Sequence, residues 1–258
     1  VVSTLKAQLS HYLKRAYVPY SHHPEAALVL LSDGYWIPGV RVENASFSLT
    51  IPALQNALTT AVALGRRDVV AVLLSEPLDL SMQALLEGFQ DGLFSSRFSM
   101  ENDQFLMATS CSRLPTPQGE LSPFWAKQIS DATAGIQEAR QVAARAHAPV
   151  SLFPVGCLLQ LEAGWCIPGV NVEHPDWTRT LCAERNAIGT ALSYGYNSDQ
   201  WRALYLSCVR DVARTTPCGA CRQVLVEHSP ELQIWQDRQL VPEMLSAASL
   251  LPGFFVLQ

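Results

Sequence analysis

Apolar positions along this chain follow two alternating rhythms, one with the 3.6-residue spacing of a helix and one with the compact runs of a strand. Helical spacing over about residues 3–16 predicts a first helix, and the same spacing returns over about 131–146. Each is followed by two strand-like runs. Residues 26–31 and 35–42 flank Ser32-Asp33-Gly34, while 156–161 and 165–172 flank Glu162-Ala163-Gly164, so each pair reads as a hairpin closed by a Gly-containing turn. Next come a helix starting near Pro52 or Cys182, a strand at 69–74 or 203–208, and a short helix starting near Ser81 or Cys218. The order αββαβα therefore occurs twice. It predicts an α/β class chain of two tandem α/β/α sandwiches, each a mixed sheet with helices on both faces.

The two rhythms are copies of one another. Residues 15–65 laid over 145–195 without a gap give 21 identical pairs in 51, including Ile37-Pro38-Gly39-Val40 over Ile167-Pro168-Gly169-Val170 and Glu43 over Glu173. Chance would give roughly one pair in fifteen to twenty, so one folding unit is duplicated. Beyond Gly65 the match continues with gaps, with residues 83–87 resembling 223–227. The turn-forming stretch between the copies reads as a linker, which sets the predicted boundaries at 1–114, 115–123 and 124–258.

Composition narrows the partners. Against 23 acidic residues stand 18 basic ones, a net charge of −5, so no basic field gathers a phosphate backbone and a nucleic-acid partner is disfavoured. Seven cysteines are an odd number with several at metal-type spacing, which fits a reducing, cytoplasmic setting. No run approaches the roughly 20 apolar residues that span a bilayer, and residues 1–10 lack a signal-peptide pattern, so no membrane partner is expected.

The chemistry lies in the second copy. Cys182-Ala183-Glu184 and Pro217-Cys218-Gly219-Ala220-Cys221 supply three thiolates and a carboxylate. Structural zinc usually has four protein ligands, whereas catalytic zinc keeps a position for water, so three thiolates with an adjacent Glu point to catalysis. A ligand two residues before a Glu, then Pro-Cys-x-x-Cys, is the known signature of zinc nucleobase deaminases. Three thiolates around Zn²⁺ carry a net −1 charge, and both cysteine groups fall where a helix begins, whose positive end favours thiolate. Arg185 is expected to hydrogen-bond a ligand sulfur and so restore polarising power to the metal.

Residues 145–225 resemble the small zinc-dependent cytidine deaminases. The resemblance is carried by Ser151-Leu152-Phe153-Pro154-Val155-Gly156, Asn171-Val172-Glu173, Cys182-Ala183-Glu184-Arg185 and Pro217-Cys218-Gly219-Ala220-Cys221-Arg222-Gln223. It implies that Cys182, Cys218 and Cys221 bind one zinc per chain, and that Glu184 shuttles protons in hydrolytic deamination of cytidine and deoxycytidine for pyrimidine salvage. It further implies that Phe153 stacks on the base, that Asn171 and Glu173 meet the ribose, and that the Ala183 backbone N–H meets the base carbonyl. Relatives with fused copies imply a homodimer. The chain departs from the family at His174-Pro175-Asp176-Trp177, where Asn-Ala-Ser-Tyr is usual and the first copy has Asn44-Ala45-Ser46-Phe47. That leaves sugar selectivity open, and with it a modified cytosine nucleoside or cytosine in RNA as substrate. The first copy has Pro52, Leu54, Arg41 and His23 where the second has Cys182, Glu184, Asn171 and Phe153, and Leu78 and Ser81 fall opposite Cys218 and Cys221. It is expected to be a non-catalytic scaffold without zinc. The alternative from another class, a nucleoside-binding protein without activity, is separated from the enzyme by zinc content.

Overall fold

The computed structural model describes residues 1–90, 92–94, 96–210, 215–239 and 241–257. The range predicted for the second copy also takes in 211–214, 240 and 258, which lie outside the described residues. The first copy runs α1 (Val2–Leu13), β1 (Ala26–Leu31), β2 (Tyr35–Val40), α2 (Ala53–Ala63), β3 (Val69–Leu74), α3 (Leu80–Gln90), β4 (Phe98–Asn102) and β5 (Phe105–Ala108). A short strand β6 (Gly119–Glu120) follows, then α4 (Ala132–Ala143), β7 (Val155–Leu161), β8 (Cys166–Val170), α5 (Ala183–Ser193), β9 (Trp201–Cys208), α6 (Gly219–His228), β10 (Gln233–Arg238), β11 (Val241–Ser246) and α7 (Ala247–Leu250). The predicted αββαβα order is present in both copies. Each gains two strands that the sequence reading did not include.

Those strands form two separate sheets, ordered β4-β5-β3-β1-β2-β6 and β11-β10-β9-β7-β8. The common half is the hairpin with its neighbour: β1 lies antiparallel to β2 and β3, as β7 does to β8 and β9. The copies then diverge. β9 pairs in parallel with β10, the crossover passing through α6, whereas β3 pairs antiparallel with β5 because β4 and β5 form a hairpin of their own. Residues 119–120, inside the predicted linker, pair in parallel with β2.

Every residue of β1 is buried, as a strand covered on both faces must be. Odd and even positions feed opposite layers: Leu28 and Leu30 pack with Leu5 and Leu9 of α1, and Val29 and Leu31 with Leu54, Leu58 and Val62 of α2. The repeated Ile-Pro-Gly-Val has a steric reason. A Cβ on Gly39 would lie 2.2 Å from the Ala57 nitrogen, and one on Gly169 2.2 Å from the Ala183 oxygen. Only glycine lets α2 and α5 sit this close to their sheets, and that approach fixes where Cys182 and Glu184 stand.

The copies join through α2 and α5 about a local pseudo-twofold axis. Thr60 Oγ1 meets Thr190 Oγ1 at 2.8 Å, equivalent residues 130 positions apart. Arg15 donates to the Ser193 carbonyl at 2.9 Å and its counterpart Arg145 to the Ala63 carbonyl at 2.8 Å. Buried Asn56 donates to the Val40 and Gly189 carbonyls at 2.8 and 3.1 Å, so its amide ties strand, own helix and opposite helix together. No helix among the described residues is long and apolar enough to cross a membrane.

Candidate active site

Two helix starts bring the sulfurs together. Cys182 is the N-cap of α5 and Cys218 the N-cap of α6, and Cys221 lies within the first turn of α6. The Sγ atoms of Cys182 and Cys218 are 3.6 Å apart, those of Cys218 and Cys221 3.5 Å, and all three lie within 4.8 Å of one another. Sulfurs at about 2.3 Å from a tetrahedral zinc stand about 3.8 Å apart, so the spacing fits that ion with little adjustment. This is the one such group among the described residues. The sulfurs share hydrogen bonds, which hold the Cys218 thiol far below its ordinary range and push those of Cys182 and Cys221 up. The backbone N–H groups of Ala220 and Cys221 in the first turn of α6 add to the lowering at Cys218.

Glu184, on the first turn of α5, is 4 % exposed and lines the same cavity as Cys182 and Cys218. Burial pushes its carboxyl up to about 7, against the opposing pull of its own backbone N–H and the Cys221 thiol. A carboxyl in that range gives and takes a proton near neutrality with little penalty either way. The cavity holds about 370 Å³ and is also lined by Phe153, Asn171, Glu173 and Ala183. All the sequence-predicted site residues except Cys221, which is fully buried beneath, and Arg185 line it.

Two of these residues also shape the wall. Asn171 accepts from the Val155 N–H at 2.7 Å and donates to the Phe153 carbonyl at 3.0 Å, fixing the backbone that carries Phe153. Glu173, 2 % exposed, accepts from the N–H groups of Val150 and Ser151 at 2.8 and 3.1 Å and from the Ser151 hydroxyl. Cys157 is fully buried and its thiol donates to the Ala183 carbonyl at 3.1 Å, as a small core residue beside the triad.

The expectation for Arg185 is corrected. It makes no hydrogen bond to sulfur among the described residues; Nη2 donates instead to the Leu49 carbonyl of the first copy at 2.8 Å. Its counterpart Gln55 donates across the axis to the Arg179 carbonyl at 2.5 Å. Arg185 is held by a cross-copy contact whose partner is distant in sequence.

Sequence reasoning missed Thr180, Leu206, Thr215 and Thr216 as lining residues and noted Trp177 only as a departure. Thr215 lines the cavity, and its Oγ1 is buried without a hydrogen-bond partner among the described residues. The available signal was the Thr215-Thr216 pair directly before Pro217.

Among the described residues the first copy has no equivalent cysteine cluster. Arg41, in place of Asn171, forms ion pairs with Glu25 at 2.6 Å and Glu43 at 3.1 Å, so a guanidinium stands where the other copy has an amide on the cavity wall. Pro52, Leu78 and Ser81 hold the positions in register with the three cysteines, and none offers a zinc ligand.

Two family profiles sharing the description "cytidine and deoxycytidylate deaminase zinc-binding region" match this chain, over residues 129–234 and 2–85. A cytidine deaminase of Halalkalibacterium halodurans is 36% identical over 123 residues, 46% of this chain and 90% of that protein. One of Mycobacterium tuberculosis is 40% identical over 119 residues, 45% of this chain and 84% of its own length. Among solved structures, a cytidine deaminase from Burkholderia pseudomallei is similar at 35% identity, covering 47% of this chain and 97% of its own, with a TM-score of 0.45. Each of these relatives is spanned almost whole by about half of this chain. The chain therefore belongs to the zinc-binding cytidine and deoxycytidylate deaminase family, and carries the family's unit twice.

Proposed function

We propose that the second copy hydrolyses cytidine and deoxycytidine to uridine and deoxyuridine, releasing ammonia. The observation that carries this reading is the meeting of three sulfurs with a buried carboxyl at the floor of one cavity. Cys182, Cys218 and Cys221 would hold zinc, which when bound would supply the Lewis acidity that makes water a nucleophile at neutral pH. Glu184 takes one proton from water as the water oxygen bonds to C4 of cytosine and delivers it to N3; it then carries the remaining hydroxyl proton to the exocyclic amine, and the C4–N bond breaks to release ammonia. Phe153 stacks on the base, and the Ala183 N–H, at the first position of α5, donates to the base carbonyl. A carboxylate has about four lone-pair sites and an Asn amide about four donor or acceptor sites, so Glu173 and Asn171 each keep capacity for a ribose hydroxyl beyond the contacts described.

In this reading one zinc is bound per chain, in the second copy, with residues 1–114 a non-catalytic unit, 115–123 a linker and 124–258 the catalytic unit. The seven cysteines, none in a disulfide, suit a reducing cytoplasm and a role in pyrimidine salvage. A homodimer is the assembly we favour, because Phe47 and its counterpart Trp177 are 87% and 57% exposed and a second chain would cover them. Glu184→Gln tests the chemistry: zinc content is expected to stay at one per chain while turnover falls at least about a thousandfold. Full activity in that variant would end the assignment.

A further inference from the structure

The segment that departs most from the family, residues 174–180, is held by the copy that has no metal ligands. His174 is 4 % exposed, although it follows Glu173 in a surface connection. Its Nδ1 accepts the Asp176 N–H at 2.9 Å, which leaves the proton on Nε2, 3.2 Å from the Leu85 carbonyl of α3. The ring stands edge-on to Phe89 of the same helix at 5.0 Å. Gly88 forms the seat: a Cβ there would lie 2.2 Å from Nε2. Arg179 closes the far end, donating to the Ser81 carbonyl at 2.8 Å, and the His174 N–H donates to the Thr180 hydroxyl at 3.2 Å. Trp177, between these anchors, and Thr180, next to Arg179, are both on the cavity wall.

The equivalent positions of the other copy carry different residues. In the first copy the loop begins with the smaller Asn44, and α6 carries His228 where α3 carries Gly88, if the match of 83–87 with 223–227 is extended by one residue. There Glu227 holds the Ala45 N–H at 2.9 Å and the Tyr20 hydroxyl at 2.9 Å. Each copy thus grips the other's loop, but only the loop held by α3 borders the cysteine cluster.

We propose that His174, seated on Gly88, is a positioning residue, and that through it the first copy sets the sugar end of the cavity and hence the affinity for nucleoside. The inference rests on the deaminase reading above, since it assigns the sugar end by that reading. The chemistry at Glu184 is left untouched by the seat.

Gly88→Ala tests this in the full-length protein. The added methyl drives the ring from its seat, while alanine favours the helix, so α3 persists. KM for cytidine is expected to rise about tenfold with kcat within about twofold, the pattern of lost substrate binding. Zinc per chain stays the same, and amide hydrogen exchange quickens over residues 174–180 but not over α5 or β9. Adding His174→Asn, which restores the smaller residue of the first copy, brings KM back to within about threefold of the parent. An unchanged KM, unchanged exchange over 174–180, a fall in kcat with loss of zinc, or failure of the second substitution to rescue would each overturn the proposal. If the parent does not turn over cytidine, the deaminase reading fails, and the hydrogen-exchange comparison still decides whether Gly88 seats the loop.

Discussion

Single residues here have roles that their nearest neighbours in sequence do not reveal. Arg185 adjoins Glu184 and is three positions from Cys182, yet its hydrogen bond goes to Leu49, 136 residues away. Its guanidinium is buried, with Nη2 bonded to the Leu49 carbonyl and Nε without a partner among the described residues. Arg185→Gln, the residue that the first copy uses at this point, is expected to lower unfolding free energy by about 1–3 kcal/mol while zinc content holds. Denaturant unfolding followed by metal analysis checks it, and loss of zinc at undiminished stability would return Arg185 to the metal. The cysteines and Glu184 were legible in the sequence because zinc chemistry demands those atoms in a fixed spacing. The Leu49 contact was not, because no local pattern encodes a partner on the far side of an internal axis.

At the scale of elements, the hairpins and their flanking helices were legible from periodicity, and the repeat read each of them twice. The strands β4, β5, β10 and β11 were not, since they lie beyond the gapless match and β4 and β11 are largely exposed, with little apolar signal. The α2–α5 contact carries its own prediction. Asn56→Ala would remove three hydrogen bonds made by one buried amide, to the Val40 and Gly189 carbonyls and the Ser193 hydroxyl, and is expected to cost about 1–3 kcal/mol, since Ser193 and Gly189 keep their bond to each other. A change under about 0.5 kcal/mol in urea unfolding would show that this amide adds nothing net to the α2–α5 contact.

The end of α6 predicts a pH dependence. His228 packs against Tyr17 and Trp201, its Nε2 has no hydrogen-bond partner among the described residues, and burial lowers its pKa from 6.5 to about 4. The fold therefore favours the neutral ring. That contribution is complete above about pH 6.5 and is lost as pH falls toward 4, where the folded protein must also take the proton. Thermal unfolding across this window is expected to show a decline that His228→Gln reduces, and an unaltered slope would remove His228 as its source.

For the molecule as a whole, duplication has separated two tasks that begin from one scaffold. The second copy keeps the sulfur triad and the cavity, while the first has an Arg41–Glu25–Glu43 ion-pair cluster in the corresponding wall and supplies α3 against residues 174–180. Metal analysis of the intact chain is expected to give one zinc, retained when the first copy's Ser81 is changed to Ala and lost when Cys218 is. Two zinc ions per chain would contradict the assignment of the metal to the second copy. Sedimentation at working concentration is expected to show a pair of chains, and a fully active monomer would exclude completion of the site by a neighbour.

The most direct test of the account is ammonia release from cytidine by the full chain, measured beside Glu184→Gln at matched zinc content. The account predicts sustained release by the parent and at least about a thousandfold less from the variant, with one zinc in each. Equal rates in the two proteins, or no release from a parent carrying its zinc, would contradict it.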